Sequence, residues 1–214
     1  MAGDPPAGSG PAVELLEVMR RLRAECDWKA AQTHRSLARY LVEETHETLE
    51  AIDNGEATGD WEHLREELGD LLLQVYFHAV IAEGSGAFTF DDVAADIVAK
   101  LRRRNPHVFG TASASGPVAV NELWEEIKAS EKQRDSVTDG LPPGLPALLY
   151  ADKVLARLQR STPATVAVDP RSADVGDRLL ALVGEARAEG IDPEQALRDA
   201  VRRLLAEAEN RPSP

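Results

Sequence analysis

The sequence predicts an all-α protein. Three observations carry that expectation. Aromatic residues make up only 5% of the chain, no segment alternates apolar and polar residues at the period of a strand, and apolar residues recur at helical spacing in segment after segment. The first helix is expected over Val13 to Ala24, with Leu15, Met19 and Leu22 on one face. A second runs from His34 to Asp53 on Leu37, Leu41, Leu49 and Ile52, and Asn54-Gly55 is the expected stop. A third, Trp61 to Glu83, presents Leu64, Leu68, Leu71 and Val75 and ends at Gly84. The fourth, Thr89 to Arg104, opens on Thr89 and Asp92 at capping-box spacing, buries Val93, Ile97 and Leu101, and stops before Asn105-Pro106. A fifth spans Val120 to Lys132 with Leu123 and Ile127. Three more follow at Pro146 to Arg160, Ala173 to Glu189 and Pro193 to Glu209, the last opening on Asp192-Pro193-Glu194-Gln195 as cap, first turn and capping partner.

Residues 105–117 and 133–144, rich in Gly, Ser and Pro, are expected loops. The stretches 1–12 and 210–214 are small, polar and Pro-rich and are expected to fray. Ser161 to Ser172 reads as a linker, so the expected organisation is a main domain over 13–160 and a helical hairpin over 173–209.

Length and charge narrow the function. A chain of 214 residues can bury a core without staples. Its single cysteine, Cys26, can form no internal disulfide and excludes Cys₄ or Cys₂His₂ zinc sites. The longest apolar run, Leu71 to Ala82, is broken by Gln74 and His78 and is too short to cross a bilayer. The segment Met1-Ala2-Gly3-Asp4 carries neither a basic nor an apolar targeting region, so a cytoplasmic location is expected. With 37 acidic and 24 basic residues the net charge is −13, which argues against duplex nucleic acid as a partner.

The acidity is concentrated. Between Glu43 and Asp70 there are eleven acids and one base, Arg65, a net −10 in 28 residues. Such blocks are usually solvated helix faces, and acid-rich stretches can be disordered. Here Leu49, Ile52, Leu64 and Leu68 thread the block, so it should fold. Glu44 and Glu47 are spaced i,i+3 on one expected helix, and Glu67 and Asp70 repeat that spacing on the next, with Gln74 continuing their stripe. Packed as an antiparallel pair, the two helices bring four carboxylates together. Unpaired, these would repel and raise one another's pKa; a hard divalent cation relieves that, and Mg²⁺ or Mn²⁺ suits an all-oxygen site. A di-iron centre is the competing metal reading, but only Glu43-Glu44-Thr45-His46 supplies the E-x-x-H it needs.

Downstream, Lys100 and Arg104 are i,i+4 on one helix, and Trp124 and Lys128 on another. Taken singly, a base near a helix C-terminus favours the macrodipole and a helical Trp belongs to a core. Cations, a divalent ion and an aromatic platform together are the parts of a nucleoside-triphosphate site. The chain has neither a Walker A sequence nor a G-x-S-x-G elbow.

Glu43-Glu44-Thr45-His46-Glu47, followed after 19 residues by Glu67-Leu68-Gly69-Asp70, resembles the E-E-x-x-E…E-x-x-D signature of the MazG nucleoside triphosphate pyrophosphohydrolases. Cys26-Asp27-Trp28 with Gln32-Thr33-His34 is similar to the family's C-P-W-D…Q-T-H, although Asp27 and Lys29 depart from it. The run from Lys100 to Gly110 resembles K-L-x-R-R-x-P-H-V-F-G, the run from Asn121 to Lys128 resembles N-x-x-W-E-x-I-K, and Leu145 to Leu148 matches an L-P-A-L helix start.

The resemblance implies an antiparallel helical bundle of the all-α NTP pyrophosphatase type. It implies a homodimer that hydrolyses nucleoside triphosphates to monophosphate and pyrophosphate with Mg²⁺. Glu44, Glu47, Glu67 and Asp70 would hold the metal, Lys100, Arg104 and Lys128 the triphosphate, and Trp124 the nucleotide. Trp28 would frame the base or be a core residue, and Glu43 or Glu47 would take the proton from water. The segments 175–183 and 190–197 resemble the end of a second repeat, with Asp174 and Asp177 at its E-x-x-D positions and no E-E-x-x-E before them. That reads as a truncated repeat without its own metal site. The rival expectation, from a different class, is a non-enzymatic helical module whose acidic patch binds a basic partner.

Overall fold

In the computed structural model, residues 10–131, 136–161 and 169–210 are described, and every regular element among them is a helix. The all-α expectation holds. In chain order these are α1 (Pro11–Glu25), α2 (Asp27–Ala31), α3 (His34–Thr58), α4 (Glu62–Gly84), α5 (Phe90–Arg104), α6 (Pro106–Phe109), α7 (Pro117–Ser130), α8 (Ala147–Ser161), α9 (Val175–Ala188) and α10 (Pro193–Glu209). None is long and apolar enough to cross a membrane. The short helices α2 and α6 lie where the sequence suggested connections.

Two compact units divide at Ile127/Lys128. The division falls within α7, upstream of the expected boundary at 161–172, because α8 packs with α9 and α10. Residues 162–168 of the expected linker, and the expected frayed ends 1–9 and 211–214, lie outside the described residues.

The first unit is built on the α3–α4 hairpin. Thr33 caps α3 by accepting from the Ser36 amide at 3.1 Å, and the Ser36 hydroxyl accepts from the Thr33 amide at 2.9 Å. That reciprocal pair satisfies two donors left over at the helix start. The helix does not stop at Asn54-Gly55. It runs one turn further to Gly59, whose φ of 77° is the left-handed C-cap that glycine adopts at least cost. Gly55 is glycine for a different reason: a Cβ there would lie 2.3 Å from Cε3 of Trp61, the residue that opens α4. The connection is therefore compact, with Asp60 Oδ1 accepting from the Glu62 amide at 3.0 Å.

Gly55 and Trp61 make a sign-reversing prediction. Gly55→Ala gains about 1 kcal/mol of helix propensity but must displace the indole, for which overpacking costs about 1–3 kcal/mol. It should be neutral to destabilising in the parent and stabilising in a Trp61→Ala background, as a denaturant-unfolding double-mutant cycle would report.

The core joins Leu16 and Met19 of α1, Leu37 of α3, and Tyr76, Phe77 and Val80 of α4, with Leu15, Leu22, Tyr40, Leu73, Ile81 and Phe90 packed around it. Tyr76 donates from its hydroxyl to the Ala12 carbonyl at 3.0 Å and lies against the Phe90 ring, centroids 4.1 Å apart. A second tie joins α3 and α4: His34 Nδ1 and His78 Nδ1 are 2.8 Å apart. Among the described residues, His78 Nε2 is buried without a partner. Burial, and then the neighbouring His34, hold the His78 pKa below the ordinary imidazole value.

The expected core stripes need correction. On α4 the buried positions include Glu67, Gln74, Tyr76, Phe77 and Val80, whereas Leu68, Leu72 and Val75 are exposed. Leu41 and Ile52 on α3, and Ile97 and Leu101 on α5, are likewise exposed. The cause on α4 is its apolar circumference: when leucines occupy most directions, spacing does not say which side meets the neighbour. α5 packs on α4 and α6, and its Ile97–Leu101 edge is exposed.

The second unit packs α8 with α9 and α10 around Leu155, Ala156 and Val183. Arg187 donates to Asp152 at 2.9 Å and to Gln159 at 3.0 Å, tying α9 to α8. Asp174 caps α9, its Oδ1 accepting from the amides of Gly176 and Asp177, and the Asp177 carboxylate accepts from Ser172. Both acids at the expected E-x-x-D positions of a second repeat therefore serve local capping.

Candidate functional site

The i,i+3 spacing puts Glu44 on the inner side of α3 in its third turn, and Glu67 and Asp70 on α4 in its second and third. The hairpin brings them face to face. Glu44, Glu67 and Asp70 each offer an oxygen, and these atoms all lie within 4.8 Å of one another. Glu67 is buried, while Glu44 and Asp70 are half-buried. Glu47 is exposed one turn beyond Glu44 and close enough to add to its electrostatic burden. All four predicted carboxylates are therefore neighbours, three in a tight group and Glu47 at its outer edge.

Their electrostatics show the strain. Burial first, then the charges of Asp70 and Glu47, raise the Glu44 pKa above the ordinary carboxylate range, with Glu67 adding to the effect. Burial and gathered like charges both disfavour the ionised form of a carboxylate. The donor set is all oxygen and anionic, and it converges from two rigid helices. It fits a hard divalent ion such as Mg²⁺ or Mn²⁺.

Glu43 does not join the group. It is exposed and its carboxylate lies 3.9 Å from Arg39, one turn back on α3. A residue that spacing did not single out does join it: His63, in the first turn of α4, has Nε2 at 2.9 Å from Glu67 Oε1. The available signal was its place four residues before Glu67, which is weak in a chain that is 29% charged.

Of the predicted phosphate and base residues, Arg104 and Trp124 meet: the guanidinium carbon lies 5.2 Å from the ring centroid. Lys100 is exposed one turn before Arg104 on α5. Lys128 is half-buried and belongs to the second compact unit. Trp28 is not a core residue. It is 51% exposed, edge-on to Tyr40 at 6.2 Å, with Lys29 Nζ 5.3 Å from its centroid. Beside it Gln32, Thr33, Arg35, Ser36, Arg39 and Tyr40 line an open recess of about 560 Å³.

The sequence model of the MazG nucleotide pyrophosphohydrolase domain matches residues 32–109, the span from the α3 cap to α6 that contains all four carboxylates. The chain is 39% identical to the nucleoside triphosphate pyrophosphohydrolase/pyrophosphatase MazG of Thermotoga maritima, covering 90% of this chain and 82% of that protein. It is 46% identical to an uncharacterized 26.1 kDa protein of Streptomyces cacaoi, over 88% of this chain and 77% of the other. It is also 45% identical to the nucleoside triphosphate pyrophosphohydrolase of Escherichia coli, over 67% of this chain and 55% of that longer protein. A crystal structure of a MazG-related protein from Thermotoga maritima aligns over 55% of this chain and 98% of that one, with 25% identity and a TM-score of 0.46. The 39% identity to the Thermotoga MazG pyrophosphohydrolase over most of both chains, together with a family match that spans the paired acids, places this chain in the MazG nucleotide pyrophosphohydrolase family.

Proposed function

We propose that this chain hydrolyses nucleoside triphosphates, ribo- or deoxyribo-, to the monophosphate and pyrophosphate in a Mg²⁺-dependent reaction that clears nucleotides from the pool. The observation that carries the reading is the convergence of Glu44, Glu67 and Asp70 within 4.8 Å on the hairpin that the family match spans. These three residues hold the cation, with Glu47 at the margin. When bound, Mg²⁺ supplies Lewis-acid polarisation of phosphate oxygens and lowers the pKa of a bound water.

The remaining residues bind and orient. Lys100 and Arg104 offer charge-assisted hydrogen bonds to phosphate oxygens and absorb the charge that develops as the bond to the leaving group breaks. The family motif assigns Lys128 the same task. Trp124 offers a ring face to the nucleotide, and exposed Trp28 has a free edge to frame a base. Glu47, exposed and next to Glu44, is better placed than Glu43 to take a proton from water, since Glu43 faces Arg39. The exposed apolar edges of α3, α4 and α5 suit burial against a second copy, in keeping with a homodimer.

The test is a panel of NTPs and dNTPs with the purified full chain and Mg²⁺, the products resolved by ³¹P NMR. Pyrophosphate and monophosphate are expected. Orthophosphate with diphosphate, or no turnover with any nucleotide, would overturn the reading.

A further inference from the structure

We infer that His63 is a positioning residue that aims the Glu67 carboxylate at the cation, an inference that rests on the metal site proposed above. Glu67 is the most buried of the clustered acids, its side chain 11% exposed, so water does little to orient it. Among the described residues, His63 is the one basic side chain in contact with Glu67, through Nε2 at 2.9 Å from Oε1. An N–H aimed at one carboxylate oxygen restricts the side-chain torsions and leaves lone pairs for a cation shared with Glu44 and Asp70. Partners of this kind orient metal ligands in general.

The pair is poorly explained as a support for the helix. His63 sits in the first turn of α4, where the macrodipole disfavours positive charge. The order is also inverted: helix-stabilising i,i+4 pairs place the acid N-terminal to the base, and here the imidazole precedes the carboxylate.

The experiment is a Mn²⁺ titration of the full chain followed by EPR of the free ion, with melting in EDTA as the control for folding. His63→Ala should weaken Mn²⁺ binding about 10–100-fold. Melting in EDTA should stay at the wild-type value. His63→Gln, whose amide N–H can reach Glu67 from the same turn, should recover most of the affinity; a helix-supporting role would predict no such rescue. In turnover, the rate lost by His63→Ala should return as Mn²⁺ is raised to saturation. Equal Mn²⁺ affinity in wild type and His63→Ala would overturn the role of His63 and leave the cation site standing. A wild-type chain that binds no Mn²⁺ would overturn the cation site, and this inference with it.

Discussion

Glu44→Gln is expected to cut pyrophosphate release sharply and, in the absence of metal, to make the protein more stable. The rate should fall about 10²–10³-fold, the equivalent of the several kcal/mol of charge stabilisation that a bound cation supplies. The stability gain follows from the raised pKa. In the folded chain Glu44 keeps its proton to a higher pH than in the unfolded chain, because burial and then Asp70 and Glu47 disfavour its charge. The folded state therefore binds more protons, and stability falls as pH rises above the ordinary value of 4.5. Below that value both states are protonated and the cost vanishes. Urea unfolding in EDTA should show wild type losing stability relative to Glu44→Gln as pH rises above 4.5. Saturating Mg²⁺ should reverse the ranking, since it binds the folded wild type and not the variant. A glutamine variant that is less stable at every pH without metal would mean the carboxylates are not in conflict.

Tyr76→Ala is expected to cost about 3–5 kcal/mol, the range for removing a large buried aromatic. Tyr76 is the largest fully buried side chain among the described residues, 2% exposed, and it links three helices: its hydroxyl reaches α1 at Ala12 and its ring meets Phe90 of α5. Tyr76→Phe keeps the ring and loses one hydrogen bond, so a cost of about 1 kcal/mol is expected. A shift in urea midpoint at constant m-value would measure both. Equal costs for the two variants would mean that the hydroxyl, rather than the ring, holds α1 and α5 to α4.

The sequence carried those parts of the fold that are set locally. Helix starts at Thr89 and Asp192 were legible because each cap is a short-range hydrogen-bonding arrangement, and the structure shows both. The two acid pairs were legible because i,i+3 places side chains on one face in any α-helix. Gly55 misled because glycine serves two ends, stopping a helix or admitting a neighbour, and only the position of Trp61 decides between them. The buried side of α4 was illegible because its apolar residues point in nearly every direction, and the identity of the covered side is a tertiary fact. His63 escaped for a related reason. Its meaning lies in the burial of Glu67, which no spacing reveals.

The compact α3–α4 connection has a kinetic consequence. Gly59 ends one helix, and Glu62 begins the next within three residues. The loop to be closed is among the shortest a helical hairpin can use, and contacts close in sequence are the least costly in chain entropy to form early. The carboxylates on those helices are thus gathered with the first tertiary contacts, before α1 must dock on α4 from across the sequence. Their mutual repulsion then falls on the folding barrier itself, and a divalent ion in the refolding buffer is expected to speed folding as well as slow unfolding.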